Sequence, residues 1–317
     1  MKENNLLNLK SCLISVSDKT GIVNFAKRLA KKNINIISTG NTYEKLKTAK
    51  IKSEKVESIT SFPEILDGRV KTLHPKIFGG ILADINKLKH LNQIKKHNIK
   101  KIQMVVVNLY PFENKIKKSN SIEDCIENID IGGTSIIRAA AKNYLSTVVI
   151  TEKEDYGLVI NEIEKFKGIK IETRKLLAYK AFSRTMEYDL FISQWLGNRF
   201  LKNDKRKFYL IGNKPTQLRY GENPHQKARW FGESGKGWSG ANQLQGKELS
   251  TNNLLDLEAA LSTLREFGYE NTITSTSYQK AAVVIKHTNP CGVAIGDSPY
   301  LALKRALDGD RISAFGG

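Results

Sequence analysis

Through about residue 200 the chain alternates short runs of Val, Ile and Leu with stretches whose apolar residues recur at helical spacing. SCLISVSD (11–18) reads as a buried strand. GIVNFAKRLAKKN (21–33) gathers Ile22, Phe25, Ala26, Leu29 and Ala30 on one helical face, and INIISTG (34–40) reads as the next strand. NTYEKLKTA predicts a helix opened by Asn41 or Thr42 as its cap. KLKHLNQIKKHN predicts another helix, IQMVVVNLY (102–110) a strongly apolar strand, SIEDCIENI and TSIIRAAAKNY two more helices, and STVVITE (146–152) a further strand. Strands that alternate with helices and are dominated by Val and Ile imply a parallel sheet covered on both faces. The expected fold of this part is a doubly wound α/β domain.

A long helical pattern over 173–202 closes it, and KNDKRK marks a charged break. The expected domains are therefore 1–205 and 206–317. The second holds LRYGENPHQ (218–226), a Gly-rich stretch, a helix NLLDLEAALSTLREF, one strand AAVVIKHTNPCGVAIG (281–296), a helix SPYLALKRALDGD and the tail SAFGG. No internal repeat is present.

Composition narrows the function classes. No apolar run reaches the roughly 18 residues of a membrane span, and CLISV lacks the length of a signal peptide, so the expected compartment is the cytoplasm. Cys12, Cys125 and Cys291 are far apart and odd in number, which argues against a disulfide framework and a CxxC metal site. The net charge of +19 invites a nucleic-acid reading. Its lysines are scattered along helices without a recognition motif, so small phosphorylated substrates are preferred to nucleic acid.

In parallel α/β sheets the ligand lies beyond the carboxyl ends of the strands, where helix N-termini present free N–H groups to an anion. Ser17-Asp18-Lys19-Thr20-Gly21 and Ser38-Thr39-Gly40-Asn41-Thr42 both occupy such positions. Either alone serves equally well as an ordinary turn, but two in succession favour a phosphate site. GRVKTLHPK is a third contributor: Arg69 offers a planar fork, Lys71 a compact charge for an oxyanion, and His74 before Pro75 fixes the loop. Asp130 precedes a glycine pair at a helix start, and Lys142 follows twelve residues later; brought together by the fold, the two could share a proton as general acid and base. Tyr110 could donate from its phenol or simply pack. In the second domain Lys286 and His287 are expected at the end of a buried strand, suited to an oxyanion and a proton. Cys291 reads as an inert thiol, and the His-x-Glu and Pro-Cys-x-x-Cys spacings of a zinc deaminase are missing, so no metal is expected.

In order, SVSDKTG, STGNT, FPEILDGRVKTLHPKIFGGILA, VNLYPF, ENIDIGGTSIIRAAAKN, LRYGENPHQ, IKHTNPCGVA and SAFGG make the chain closely resemble the bifunctional purine-biosynthesis family that combines IMP cyclohydrolase with AICAR transformylase. The resemblance implies a methylglyoxal-synthase-like first domain that closes FAICAR to IMP and water without a metal or cofactor. By motif position, Ser17, Asp18 and Lys19, then Thr39, Gly40, Asn41 and Thr42, and Arg69, Val70 and Thr72 would hold the nucleotide. Val107, Asn108 and the Asp130-Ile131 pair would lie beside the base. Lys142 would donate and accept the proton, supported by Lys71, Tyr110 and Asp130. The second domain would be cytidine-deaminase-like and would transfer a formyl group from 10-formyltetrahydrofolate to AICAR. There His287 would take a proton, Lys286 would stabilise the transition state, and Arg219, Tyr220 and Gly316 would bind the nucleotide. The family is homodimeric.

Two departures qualify the match. Gly40-Asn41-Thr42 stands where the family reads Gly-Gly-Thr, which predicts a left-handed backbone at 41 that Asn meets less freely. The sequence stops after SAFGG where the family continues, so the expectation is an intact cyclohydrolase and an incomplete transformylase, inactive or dependent on a separate second polypeptide. A basic nucleic-acid-binding protein and a nucleotide-sensing module without turnover are the competing readings.

Overall fold

A computed structural model describes residues 6–68, 70–110, 112–118, 121–202, 205, 207, 209, 212, 215–232, 237–267 and 280–314. Arg69 and Gly316 lie outside them. Two compact units divide the chain, Met1–Arg206 and Lys207–Gly317.

The first unit runs β1 (Leu6–Leu7), β2 (Ser11–Val16), α1 (Ile22–Lys31), β3 (Asn35–Ser38), α2 (Gly40–Thr48), β4 (Glu54–Lys55), α3 (Val56–Thr60), α4 (Pro75–Leu82) and α5 (Leu88–Lys96). It continues with β5 (Met104–Asn108), α6 (Phe112–Lys118), α7 (Ile122–Glu127), α8 (Ile131–Lys142), β6 (Val148–Ile150), α9 (Tyr156–Phe166), β7 (Ile169–Lys170) and α10 (Ile171–Phe200). Strands β4-β3-β2-β5-β6 form one sheet, and every pairing within it is parallel.

Period-two alternation sends successive side chains of each strand to opposite faces. Cys12, Ile14, Val16, Ile36, Met104 and Val106 pack with Ile22, Phe25 and Leu29 of α1 and Val159, Ile160 and Ile163 of α9. Leu13, Ile37, Val105, Val107 and Val149 pack on the other side with Ile77 and Ile81 of α4, Ile136 and Ile137 of α8, and Ala178 and Ala181 of α10. Burial on both faces explains why β2 and β5 read as unbroken apolar runs, and makes the doubly wound α/β fold an observation. Fully burying one such aliphatic side chain contributes ~1.5–3 kcal/mol.

Register then fixes where the loops emerge. Ile14 pairs with Ser38 and Val16 with Asn108, so the segments after β2, β3 and β5 leave the sheet at the same end. The chain passes from β2 to β3 on one side and later to β5 on the other. That reversal opens a crevice beyond the carboxyl ends of β2 and β5.

Helix α10 runs beside α8 and is fastened to it near both ends. Arg174, 3% exposed, donates from Nη1 to the carbonyls of Tyr144 and Leu145 at 3.0 and 2.5 Å, just past the C-terminus of α8. The Tyr188 hydroxyl accepts the backbone N–H of Asp130 at 2.8 Å, at the opposite end.

The second unit comprises β8 (Thr216–Gln217), β9 (Arg229–Trp230), α11 (Thr251–Arg265), β10 (Ala281–Lys286), β11 (Asn289–Ile295) and α12 (Pro299–Gly309). The single strand expected over 281–296 is instead an antiparallel hairpin, with Lys286 paired to Asn289 across His287-Thr288. An apolar run of that length is too long for one strand of ordinary size, and folding back lets it pair with itself. Burial is thin: β10 is half-buried throughout and α11 has no buried residue.

Candidate functional site

Three loops meet beyond the sheet's carboxyl end. Ser15 and Thr39 share a hydroxyl hydrogen bond of 2.8 Å, and Thr42 Oγ1 accepts from the Val16 N–H at 3.2 Å while donating to the Val16 carbonyl at 3.1 Å. Asn108 Oδ1 accepts the N–H groups of Ser17 and Asp18 at 2.6 and 3.1 Å, and its Nδ2 donates to the Asp18 carbonyl at 2.9 Å. Lys19 Nζ reaches the Ser17 carbonyl at 3.3 Å. Asp18 accepts from the Thr20 N–H and hydroxyl at 2.9 and 2.6 Å and from Lys153 at 3.0 Å. The Thr20 hydrogen bonds, with Lys153 behind them, hold its carboxyl down to about 2.

Both α1 and α2 begin here without a side-chain cap or an acidic residue in the first turn. The Ile22 and Thr42 N–H groups bond back to the Lys19 and Thr39 carbonyls at 3.3 and 3.0 Å, which leaves the other first-turn N–H groups to an anion. The acidic side chain of the loop before α1, Asp18, is engaged by Thr20 and Lys153. The cap of α2 is Thr39, not Asn41 or Thr42 as expected, because the Thr42 hydroxyl is committed to Val16. The left-handed residue is Gly40, φ +36°, and Asn41 lies inside the helix; the strain expected at 41 is absent.

Asp130 caps α8, its Oδ1 accepting the Gly133 N–H at 2.6 Å. Burial raises its pKa, opposed by the backbone N–H groups of Gly133 and Tyr110 and by the Lys71 charge. Lys71 lies on a turn closed by an Ile65–Val70 bridge, with its Nζ 3.4 Å from Glu64 Oε1. Thr72 is buried against the start of α8, where a Cβ on Gly132 would stand 3.2 Å from its hydroxyl. His74 caps α4 through Nδ1, accepting the Lys76 N–H at 3.1 Å, a structural role. Val107 is buried in β5, whereas Tyr110 and Ile131 are exposed. The structure thus brings Ser17, Asp18, Lys19, Thr39 to Thr42, Val70 to Thr72, Val107, Asn108, Tyr110, Asp130 and Ile131 to one end of the unit.

Lys142 is not among them. It occupies the last turn of α8, and twelve residues at 1.5 Å each put it ~18 Å from Asp130. A pairing of Asp130 with Lys142 within this chain is therefore corrected: a continuous helix keeps its ends apart. Lys142 instead lines a groove of about 760 Å³ with Phe78, Arg138, Lys175, Tyr179 and Phe182.

In the second unit Arg219 stacks over Tyr220, 4.8 Å from its ring centroid, and donates to its hydroxyl at 3.1 Å. The Tyr220 carbonyl accepts the Thr251 N–H at the start of α11, and Asp256 of the same helix accepts the Thr288 N–H at 2.8 Å. Five helical residues, about 7.5 Å, separate the two attachments. His287 is not at the end of a buried strand: it is exposed in the hairpin turn, where His287 and Thr288 adopt φ of 48° and 64°. That turn type demands left-handed residues at both central positions. Among the described residues no cluster of three His, Cys, Asp or Glu could hold a metal ion.

The family model described as AICARFT/IMPCHase bienzyme matches residues 140–317, and that of the MGS-like domain matches 21–135. The chain belongs to the AICARFT/IMPCHase bienzyme family. Among curated relatives, the bifunctional purine biosynthesis protein PurH of Prochlorococcus marinus (strain NATL1A) is 59% identical over 96% of this chain and 59% of its own length. The PurH of Bradyrhizobium diazoefficiens is 48% identical over 96% of this chain and 57% of its own. The chain therefore spans under two thirds of the length of the relatives it matches. The crystal structure of ForH is 29% identical with a TM-score of 0.54, covering 60% of this chain and 100% of that one.

Sequence reasoning missed four residues of this AICARFT/IMPCHase chain that shape the site. Ser15 holds Thr39, Lys153 holds Asp18, Tyr188 holds the Asp130 backbone, and Glu64 meets Lys71. Glu64 carried a signal, since it lies in the same FPEILDGRVK motif; Lys153 and Tyr188 come from distant segments and carried none.

Proposed function

We propose that the first unit is an IMP cyclohydrolase, closing the ring of FAICAR to give IMP and water. The supporting observation is the convergence of two helix N-termini without side-chain caps with Lys71 and a half-buried Asp130 at the crevice beside β2 and β5, in a chain of the AICARFT/IMPCHase family. The phosphate rests on the N–H groups of α1 and α2 beside Lys19. The purine-forming end lies toward Asn108, Asp130 and Ile131. The carboxamide nitrogen bonds to the formyl carbon, and the formyl oxygen, becoming an alkoxide, takes a proton. One proton of the attacking carboxamide nitrogen balances the one the alkoxide takes. The formamide nitrogen's proton then leaves with the hydroxyl as water, and that nitrogen's electron pair forms the ring C=N bond. Lys71 stabilises the developing oxyanion, and Asp130, raised by burial, accepts the carboxamide nitrogen's proton.

Motif position assigns proton transfer to Lys142, whereas the geometry supports Lys71 and Asp130. Incubating the protein with FAICAR and following IMP tests the reading, and a wild type without turnover ends it. Lys71→Ala must lose turnover on the geometric assignment; the motif assignment requires the same loss in Lys142→Ala.

For the second unit the corresponding proposal is formyl transfer from 10-formyltetrahydrofolate to AICAR, with Arg219 and Tyr220 on the nucleotide and Lys286 and His287 at the reacting amine. A homodimer and a cytoplasmic location accompany these proposals. No helix among the described residues is long and apolar enough to cross a membrane.

A further inference from the structure

Glu64 has no place in the reading above, yet its carboxylate stands 3.4 Å from the Lys71 ammonium, with the two side chains 35% and 29% exposed. The space it fills belongs to a glycine. A Cβ on Gly68 would lie 2.3 Å from Glu64 Oε1 and 3.4 Å from Lys71 Nζ. Gly68 also adopts φ +88°, which L side chains rarely enter. The turn is closed by reciprocal Ile65 and Val70 hydrogen bonds of 3.4 Å and by Gly68 N–H to the Ile65 carbonyl at 3.2 Å. Carboxylate and ammonium thus meet over a bare Cα.

A lysine has a flexible four-carbon stem and a point charge, so its position is set by what it pairs with. Here it lies within electrostatic reach of Glu64 and of Asp130. Left with Asp130 alone, the ammonium would pair with the group needed as base, and both would be withdrawn from the substrate.

We propose that Glu64 is the positioning residue of Lys71, holding its ammonium off Asp130, and that Gly68 is glycine because any side chain there would evict the Glu64 carboxylate. The cyclohydrolase role of this arrangement rests on the function proposed above.

The test uses the full chain with Glu64→Gln, Glu64→Asp, Gly68→Ala and the double Glu64→Gln/Gly68→Ala. Trace acylation with acetic anhydride, read at Lys71 by peptide mass spectrometry, accelerates roughly twofold to fivefold in Glu64→Gln and in Gly68→Ala, the range of a partly exposed ion pair. In FAICAR cyclisation kcat falls roughly tenfold in both while KM moves less than about twofold. Glu64→Asp restores part of the loss, and the double variant is no worse than either single one. Unchanged Lys71 acylation in Glu64→Gln overturns the proposal, as do losses that add in the double. A wild type without turnover would refute the cyclohydrolase reading alone, because acylation still decides whether Glu64 positions Lys71.

Discussion

Asn108 closes a hydrogen-bonded ring with the backbone of Asp18, accepting its N–H at 3.1 Å and donating to its carbonyl at 2.9 Å. The end of β5 thereby dictates the shape of the loop after β2. Asn108→Leu removes both bonds and the one to the Ser17 N–H, so unfolding stability falls by about 1–3 kcal/mol in denaturant titration. Asn108→Asp keeps the acceptor, loses the donor and places a negative charge at the purine-forming end of the proposed site. Its KM for FAICAR rises at least roughly tenfold in steady-state assays.

Asp18 gives the loop an acid limit. Its folded pKa of about 2, set first by Thr20 and then by Lys153, lies below the ordinary aspartate value, so its stabilising contribution is complete above about pH 4. That contribution drains away as pH falls toward 2. Thr20→Val moves the folded value up and narrows the window, seen as a shallower loss of thermal stability between pH 4 and 2.

Asp130 both caps α8 and carries the proposed base, and two substitutions part the roles. Asp130→Ala loses cap and carboxylate, costing about 0.5–2 kcal/mol of stability together with turnover. Asp130→Ser keeps a capping oxygen: it melts within a few degrees of wild type and is equally inactive. The shift runs opposite to that of Asp18. Burial raises the folded pKa, so the acidic limb of kcat/KM lies above the ordinary Asp value of about 3.9. This group's contribution to stability is greatest below the unfolded value and is lost as pH rises through the folded one.

The second unit opens before the first. Its buried apolar side chains among the described residues are Leu218, Ala302 and Ala306, against two full clusters in the first unit. Amides of β10, β11 and α11 exchange with deuterium at least about tenfold sooner than those of β2 and β5. Equal protection would contradict this account.

Legibility followed from how locally each feature is determined. Strands β2 and β5 announce themselves because both faces are buried, and the candidate phosphate loops because Ser, Thr and Gly directly follow β2 and β3. Asp130 before Gly132-Gly133 is legible as the start of α8, but local pattern does not report that the helix runs unbroken through those two poor helix formers to Lys142, which is what keeps the two residues apart. The hairpin after Ala281 was hidden because His287-Thr288 lacks the Asn-Gly signature of its turn. Glu64 and Lys71 meet only after a short turn folds back, and Tyr188 reaches Asp130 across 58 residues of chain. Nothing in local pattern reports such meetings.

Arg174 and Tyr188 make α10 a caliper. Its two jaws, fourteen residues or about 21 Å apart, close on an α8 of about 18 Å, so the span of one helix sets the axial seat of the other. One residue inserted between the jaws would advance the far jaw by about 1.5 Å and swing it by about 100°. Asp130 would lose its anchor although no residue of the crevice had changed. Tolerance to insertion in this outer helix is thus a gauge of how finely the proposed base must be placed.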